Sequence, residues 1–160
     1  SPVKLVDSGF VREYVNPSLG YRLYYPSTWE VGAVDAADQV LVSSVTGDFI
    51  EIRLLPKNIQ QSFSDWFASS AQGEQFTNMI PFTNRFDLAG WKRRDDLVVY
   101  FPTDMAVAVL LYHPGTGAEA ISFRHVLSLM AASFRQGSAG PALEDQRALP
   151  AAPNASQPLP

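Results

Sequence analysis

The sequence predicts an α+β domain, an antiparallel β-sheet flanked by helices. Short runs of alternating apolar and polar residues fill the first third of the chain and are joined by Gly, Pro and Asp turns, as hairpins are. Helical periodicity is confined to two stretches, one in the middle of the chain and one near its end. Strands therefore do not alternate one for one with helices. That order belongs to helices laid on an antiparallel sheet, not to a doubly wound parallel one.

The elements follow in chain order. Residues 1–9 read as a leader without periodicity, and Phe10–Val15 as a first strand. Asn16-Pro17-Ser18-Leu19-Gly20 is a turn, in which Pro17 fixes φ and Gly20 takes left-handed geometry. Tyr21–Tyr25 is a strand with Tyr21, Leu23 and Tyr25 on one face and Arg22 and Tyr24 on the other. Pro26 has no N–H to donate and ends that ladder. The chain resumes as a strand at Trp29–Val34, where the Trp29 ring covers the strand end with apolar surface. Gln39–Val45 and Phe49–Leu55 form a hairpin about Thr46-Gly47-Asp48, with Ile50, Ile52 and Leu54 opposite Glu51 and Arg53.

Phe63, Trp66, Phe67 and Ala71 fall on one helical face. Ser62 with Asp65 resembles a capping box at the start of this helix, and Gly73 ends it. Gln75–Asn84 shows no decisive period. Phe86–Trp91 reads as a strand with Gly90 at a bulge or close approach, and Lys92–Asp96 as a charged turn or strand end. Leu97–Phe101 and Met105–Tyr112 are strands around Pro102-Thr103-Asp104. The second is the most apolar run and is placed at the centre of the sheet. A last helix spans Ile121–Arg135. Phe123, Val126, Leu127, Met130 and Phe134 form its apolar stripe, and Arg124, His125, Ser128 and Arg135 point away. Residues 137–160 are read as a disordered tail or linker, with five Pro, six Ala and no aromatic from Ser138 onward.

Three stretches carry a resemblance. "GYRLYYPSTWEV", with Gly20, Tyr21, Leu23, Tyr25, Pro26 and Trp29, resembles the opening motif of the PsbP-like family in the Mog/PsbP superfamily. "FDLAGWKRRD", with Gly90, resembles the family's middle strand, and "FRHVLSLMAASFR", ending in Met130–Phe134, its closing helix. The resemblance covers residues 10–136. It implies an α/β/α sandwich around an antiparallel sheet. It also implies a non-enzymatic, extracytoplasmic module that binds or supports other proteins. Bacterial members are secreted or lipid-anchored, and plant members assist the oxygen-evolving photosystem. No residue here matches a metal or photosystem site of the family, so none is carried over.

The totals narrow the function. At 160 residues with 46% hydrophobic, one domain with a real core is expected. A net charge of −4 offers no basic surplus for nucleic acid. The lack of cysteine excludes disulfides, thiolate metal sites and a cysteine nucleophile in this sequence. No run approaches the ~20 apolar residues of a membrane span, and because the sequence begins Ser-Pro-Val, any signal peptide or lipid tether would stand before Ser1.

The expected function is therefore a non-catalytic extracytoplasmic protein-binding module, an accessory or assembly subunit of an envelope or appendage complex, with no cofactor and no metal. Trp91, Lys92, Arg93 and Arg94 are the candidate partner-binding patch, because Trp and Arg dominate interface hot spots. Asp95 and Asp96 cancel much of its field, so a plain charged turn competes with it. Asp35 with Asp38, and Asp95 with Asp96, lack calcium-loop spacing. Gly115-Thr-Gly117-Ala-Glu-Ala120 fits G-x-G-x-x-A, but no strand follows the helix behind it, which leaves a Pro-Gly turn. Two alternatives remain open. A small-ligand carrier would show a mostly apolar cavity between helix and sheet. A cryptic hydrolase would bring a serine to His113 or His125, although no G-x-S-x-G elbow is present. An exposed apolar patch around Trp91 or Trp29, with no cavity, would mark the protein-binding reading.

Overall fold

A computed structural model describes residues 10–33, 39–71, 73–115 and 123–137. The leader, Asp35, Asp38, most of the G-x-G-x-x-A segment and the tail lie outside the described residues.

The order is β1 (Val11–Asn16), β2 (Tyr21–Pro26), β3 (Glu30–Ala33), β4 (Gln39–Ser43), β5 (Phe49–Pro56), α1 (Phe63–Ser70), a 3₁₀ turn (Phe76–Asn78), β6 (Met79–Thr83), β7 (Ala89–Arg93), β8 (Val98–Pro102), β9 (Ala106–His113), α2 (Arg124–Ser133) and β10 (Arg135–Gln136). Seven strands form one sheet in the order β3-β4-β5-β9-β8-β7-β6, and β1-β2-β10 form a second. Among the described residues every pairing is antiparallel. The fold is α+β, as expected, and the apolar run in β9 does stand at the middle of the large sheet.

Strand alternation sorts the core into two halves. Val99 and Phe101 of β8, with Ala108 and Leu110 of β9, pack against Val126, Leu127 and Met130 of α2, together with Tyr21, Leu23 and Trp29. The intervening Val98, Tyr100, Val107 and Val109 pack against Trp66 and Phe67 of α1. Phe134 lies parallel to Phe101 at 4.9 Å and stacks on Tyr21 at 5.3 Å, so the closing motif and the opening one meet in a single aromatic pile.

Local signals appear where they were read. Gly20 has φ 77° and its N–H donates to the Asn16 carbonyl at 2.8 Å. Ser62 Oγ accepts from the Asp65 N–H at 3.1 Å and caps α1. Gly90 is a close approach, since a Cβ there would stand 2.7 Å from Phe101 Cδ1 and 2.9 Å from the Tyr100 carbonyl oxygen. Gly90→Ala is therefore expected to destabilise by about 1–3 kcal/mol. The check is a lower urea midpoint at unchanged m-value; an unshifted midpoint would show that the Phe101 ring has room to move.

Three expectations need correction. Phe86, Asp87 and Leu88 are not strand but the turn between β6 and β7, with Asp87 at φ 61°. The undecided stretch before it is the 3₁₀ turn and β6. The last helix stops at Ser133: Phe134 is extended (φ −64°, ψ 132°), and Arg135 and Gln136 pair with Arg22 and Tyr21 of β2. That break reverses the fate of Arg135. Instead of pointing to solvent, its guanidinium lies over Phe86 at 4.3 Å and Tyr24 at 5.2 Å and is paired with Glu13. Arg22 and Tyr24, on the second face of β2, are buried as well. Arg22 Nη1 is 3.9 Å from Glu13, so one buried carboxylate sits between two guanidiniums.

Candidate functional site

β7 carries Trp91, Lys92 and Arg93, and its alternation divides them between two faces. Trp91 faces α1, stacked on Phe63 at 5.8 Å and packed on Phe76 at 4.8 Å. It is half-buried beneath those rings, not the open anchor that the sequence suggested. Arg93 shares this face and is committed to acids, with Nη1 at 2.5 Å from Glu74 and Nε at 2.9 Å from Asp95. The hydrogen bond to Asp95 is the chief cause of a raised Arg93 pKa; burial opposes it and Glu74 adds to it. Lys92 points to the α2 side, 3.7 Å from Asp96. Arg94 is exposed in the β7–β8 turn. The four residues are neighbours in sequence but do not form one patch.

The Lys92 side opens on a cleft of about 310 Å³ between α2 and the β6–β8 end of the sheet. Buried Val99 and Leu127 and half-buried Phe82 give it apolar walls, and Arg85, Lys92 and Asp96 lie along it. Asn84 fixes this shape. Its Nδ2 donates to the carbonyls of Ala131 at 3.0 Å and Phe134 at 2.6 Å, and its Oδ1 accepts from the N–H groups of Phe86 at 2.9 Å and Leu88 at 3.0 Å. The Arg85 N–H adds a bond to the Ala132 carbonyl at 3.2 Å. The β6–β7 turn thus satisfies carbonyls that the end of α2 leaves over. Sequence reasoning missed Asn84. An Asn before Arg-Phe-Asp does signal an Asx turn, but nothing local shows the helix 47 residues away that it caps.

The histidines are placed plainly. The His113 ring stacks on Phe49 at 4.3 Å, and its Nε2 is 3.0 Å from Glu51 Oε1; the other Glu51 oxygen holds Gln39. Among the described residues no serine is hydrogen-bonded to His113. His125 is exposed on α2. Among the described residues no group of three His, Asp or Glu is placed to hold a metal ion, and no helix is long and apolar enough to cross a membrane.

Asp48, read as a turn residue, is buried. It accepts from Thr46 Oγ1 at 2.5 Å, the Gly115 N–H at 2.6 Å and the Tyr112 hydroxyl at 3.0 Å. The Tyr112 hydroxyl accepts in turn from the Phe123 N–H at 3.0 Å, just ahead of α2. The first glycine of the G-x-G-x-x-A run therefore spends its N–H on a carboxylate, where a phosphate would meet like charge. Burial pushes the Asp48 pKa up, but the bonds from Thr46, Gly115 and Tyr112 outweigh it and hold the pKa below the ordinary 3.8. A depressed carboxylate stabilises the fold fully above its unfolded value and loses that contribution as pH falls through the folded one. Acid unfolding is thus expected to steepen below about pH 4, and Asp48→Asn to flatten that part of the profile while costing about 1–3 kcal/mol at neutral pH. Urea midpoints against pH provide the check; superimposable profiles would remove Asp48 from the acid response.

No known sequence family matches the chain, and no curated protein does. Solved structures do. The solution structure of cyanobacterial PsbP from Synechocystis sp. PCC 6803 is similar over 80% of this chain and 93% of its own, with a TM-score of 0.53 at 12% identity. A crystal structure from Bacteroides thetaiotaomicron VPI-5482 has a TM-score of 0.48 at 11% identity, over 79% of this chain and 48% of that one. The first likeness is one of fold: the chain has a PsbP-like fold.

Proposed function

We propose that this chain is a non-catalytic, extracytoplasmic protein-binding module, an accessory or assembly subunit of an envelope or appendage complex. In this reading it is an α/β/α sandwich of the Mog/PsbP type. The observation that carries it is the likeness to cyanobacterial PsbP across nearly the whole of that chain. The placement of α1 and α2 against opposite faces of the large sheet supports the sandwich. A fold alone does not fix a function, so the partner must be found by experiment. The contact surface in this reading is the β7–β8 turn, where Arg94 is exposed. Crosslinking mass spectrometry on native envelopes is the test. Reproducible crosslinks from Lys57 or Lys92 to one protein are expected; recovery of the protein alone, from a fraction where it is abundant, would overturn the reading.

A second reading, small-ligand carriage, is favoured by one specific observation. The cleft beneath α2 lies between helix and sheet, the place where a carrier of this architecture would hold its cargo.

A further inference from the structure

We infer that the cleft between α2 and the β6–β8 end of the sheet binds a small organic anion, a carboxylate on an apolar body, with Arg85 holding the carboxylate. The inference rests on the carriage reading and names its ligand class.

Size comes first. A cleft of about 310 Å³ is at the low end of ligand pockets and suits a compact molecule. Its apolar walls, Val99, Leu127 and Phe82, take a hydrocarbon body. Charge decides the head group. Two cations, Arg85 and Lys92, and one acid, Asp96, line the cleft. Asp96 stands 3.7 Å from Lys92 and offsets it. The Arg85 side chain is exposed at the rim of the cleft and has no ion pair among the described residues, so its charge is open to an incoming anion. An anion whose apolar body lies in the cleft can reach Arg85 with its head group. A carboxylate also matches the planar donor fork bidentately, as a lysine could not.

The backbone on one side of the cleft is tied down by hydrogen bonds. Asn84 and the Arg85 N–H clamp the β6–β7 turn to the end of α2, which fixes the backbone from which the Arg85 side chain extends. The competing role for Arg85 is to complement the negative end of the α2 dipole. That role predicts a small change in melting temperature on substitution and no effect on ligand binding.

The test is an NMR titration of the full chain with octanoate and, separately, with 1-octanol. Octanoate is expected to shift Val99 and Leu127 methyl resonances. Arg85→Gln is expected to weaken it by about tenfold or more, and Lys92→Gln by less than about threefold, since Lys92 is already offset by Asp96. Octanol is expected to bind at least about tenfold more weakly than octanoate. If octanol binds as well as octanoate, carriage stands and the anion inference falls. Octanoate binding unchanged by Arg85→Gln also overturns it. If neither probe moves a cleft resonance at millimolar concentration, the inference and the carriage reading fall together.

Discussion

Trp29→Ala is expected to cost about 3–5 kcal/mol, the loss typical of emptying a large aromatic site in a core. Trp29 is 5% exposed and meets Phe123 edge-on at 5.6 Å. It sits where the chain leaves β2, in the three-stranded sheet, and enters β3, in the seven-stranded one. Its N–H donates to the Pro26 carbonyl at 3.0 Å, which fixes the backbone on one side of the ring. Trp29 belongs to the core cluster that holds Val40 and Val42 of β4 and Tyr112 of β9, residues fixed in sheet ladders that resist collapse into a void. Trp29→Phe is expected to retain most of the stability by keeping a ring against Phe123. Urea unfolding followed by far-UV circular dichroism gives the measurement. A loss under about 1 kcal/mol for the alanine variant would show that Trp29 does not join the two sheets.

Glu13→Gln is the second large effect, expected at about 3–5 kcal/mol, because it removes the carboxylate from between two buried guanidiniums. The Glu13 and Arg22 side chains are each 2% exposed and that of Arg135 12%. Burial lowers the Arg135 pKa and Glu13 is the main influence pushing it back, so the carboxylate is part of what keeps this arginine charged. A double-mutant cycle separates charge from packing. Arg135→Met keeps an apolar stem between Tyr24 and Phe86, and in that background Glu13→Gln is expected to cost clearly less. Additive losses in the cycle would mean that the pair is not coupled.

The features legible in the sequence are those whose cause is local. The Asn16–Gly20 turn, the Ser62 cap, the alternation of Ile50 and Ile52 and the central position of β9 each follow from residues within a few positions of one another. Gly90 was legible as a close approach, but not the identity of Phe101 as the neighbour. What escaped depends on distant contacts. Arg22 and Arg135 look like surface residues until β10 turns back onto β2. Asp48 looks like a turn residue until Gly115 and Tyr112 arrive at it. The candidate patch at Trp91–Arg94 was drawn as a run along the chain, and a strand does not present a run to one partner. The cleft was anticipated only as a space between helix and sheet. Its walls come from β6, β7, β8 and α2, and Asn84, which shapes it, lay in the stretch that showed no period.

The seating of β10 on β2 has a kinetic consequence. Arg22 Nε donates to the Gly137 carbonyl at 3.1 Å, a contact that closes 115 residues of chain, and β5 meets β9 only after α1, β6, β7 and β8 have been traversed. Chains ruled by such distant pairings fold in milliseconds to seconds rather than microseconds. The N-terminal hairpin emerges from the ribosome long before its third strand and must wait for residues 135 and 136 to complete its sheet. During synthesis the chain is a thread with this latch still to come, and the small sheet closes only when residues 135 and 136 have followed.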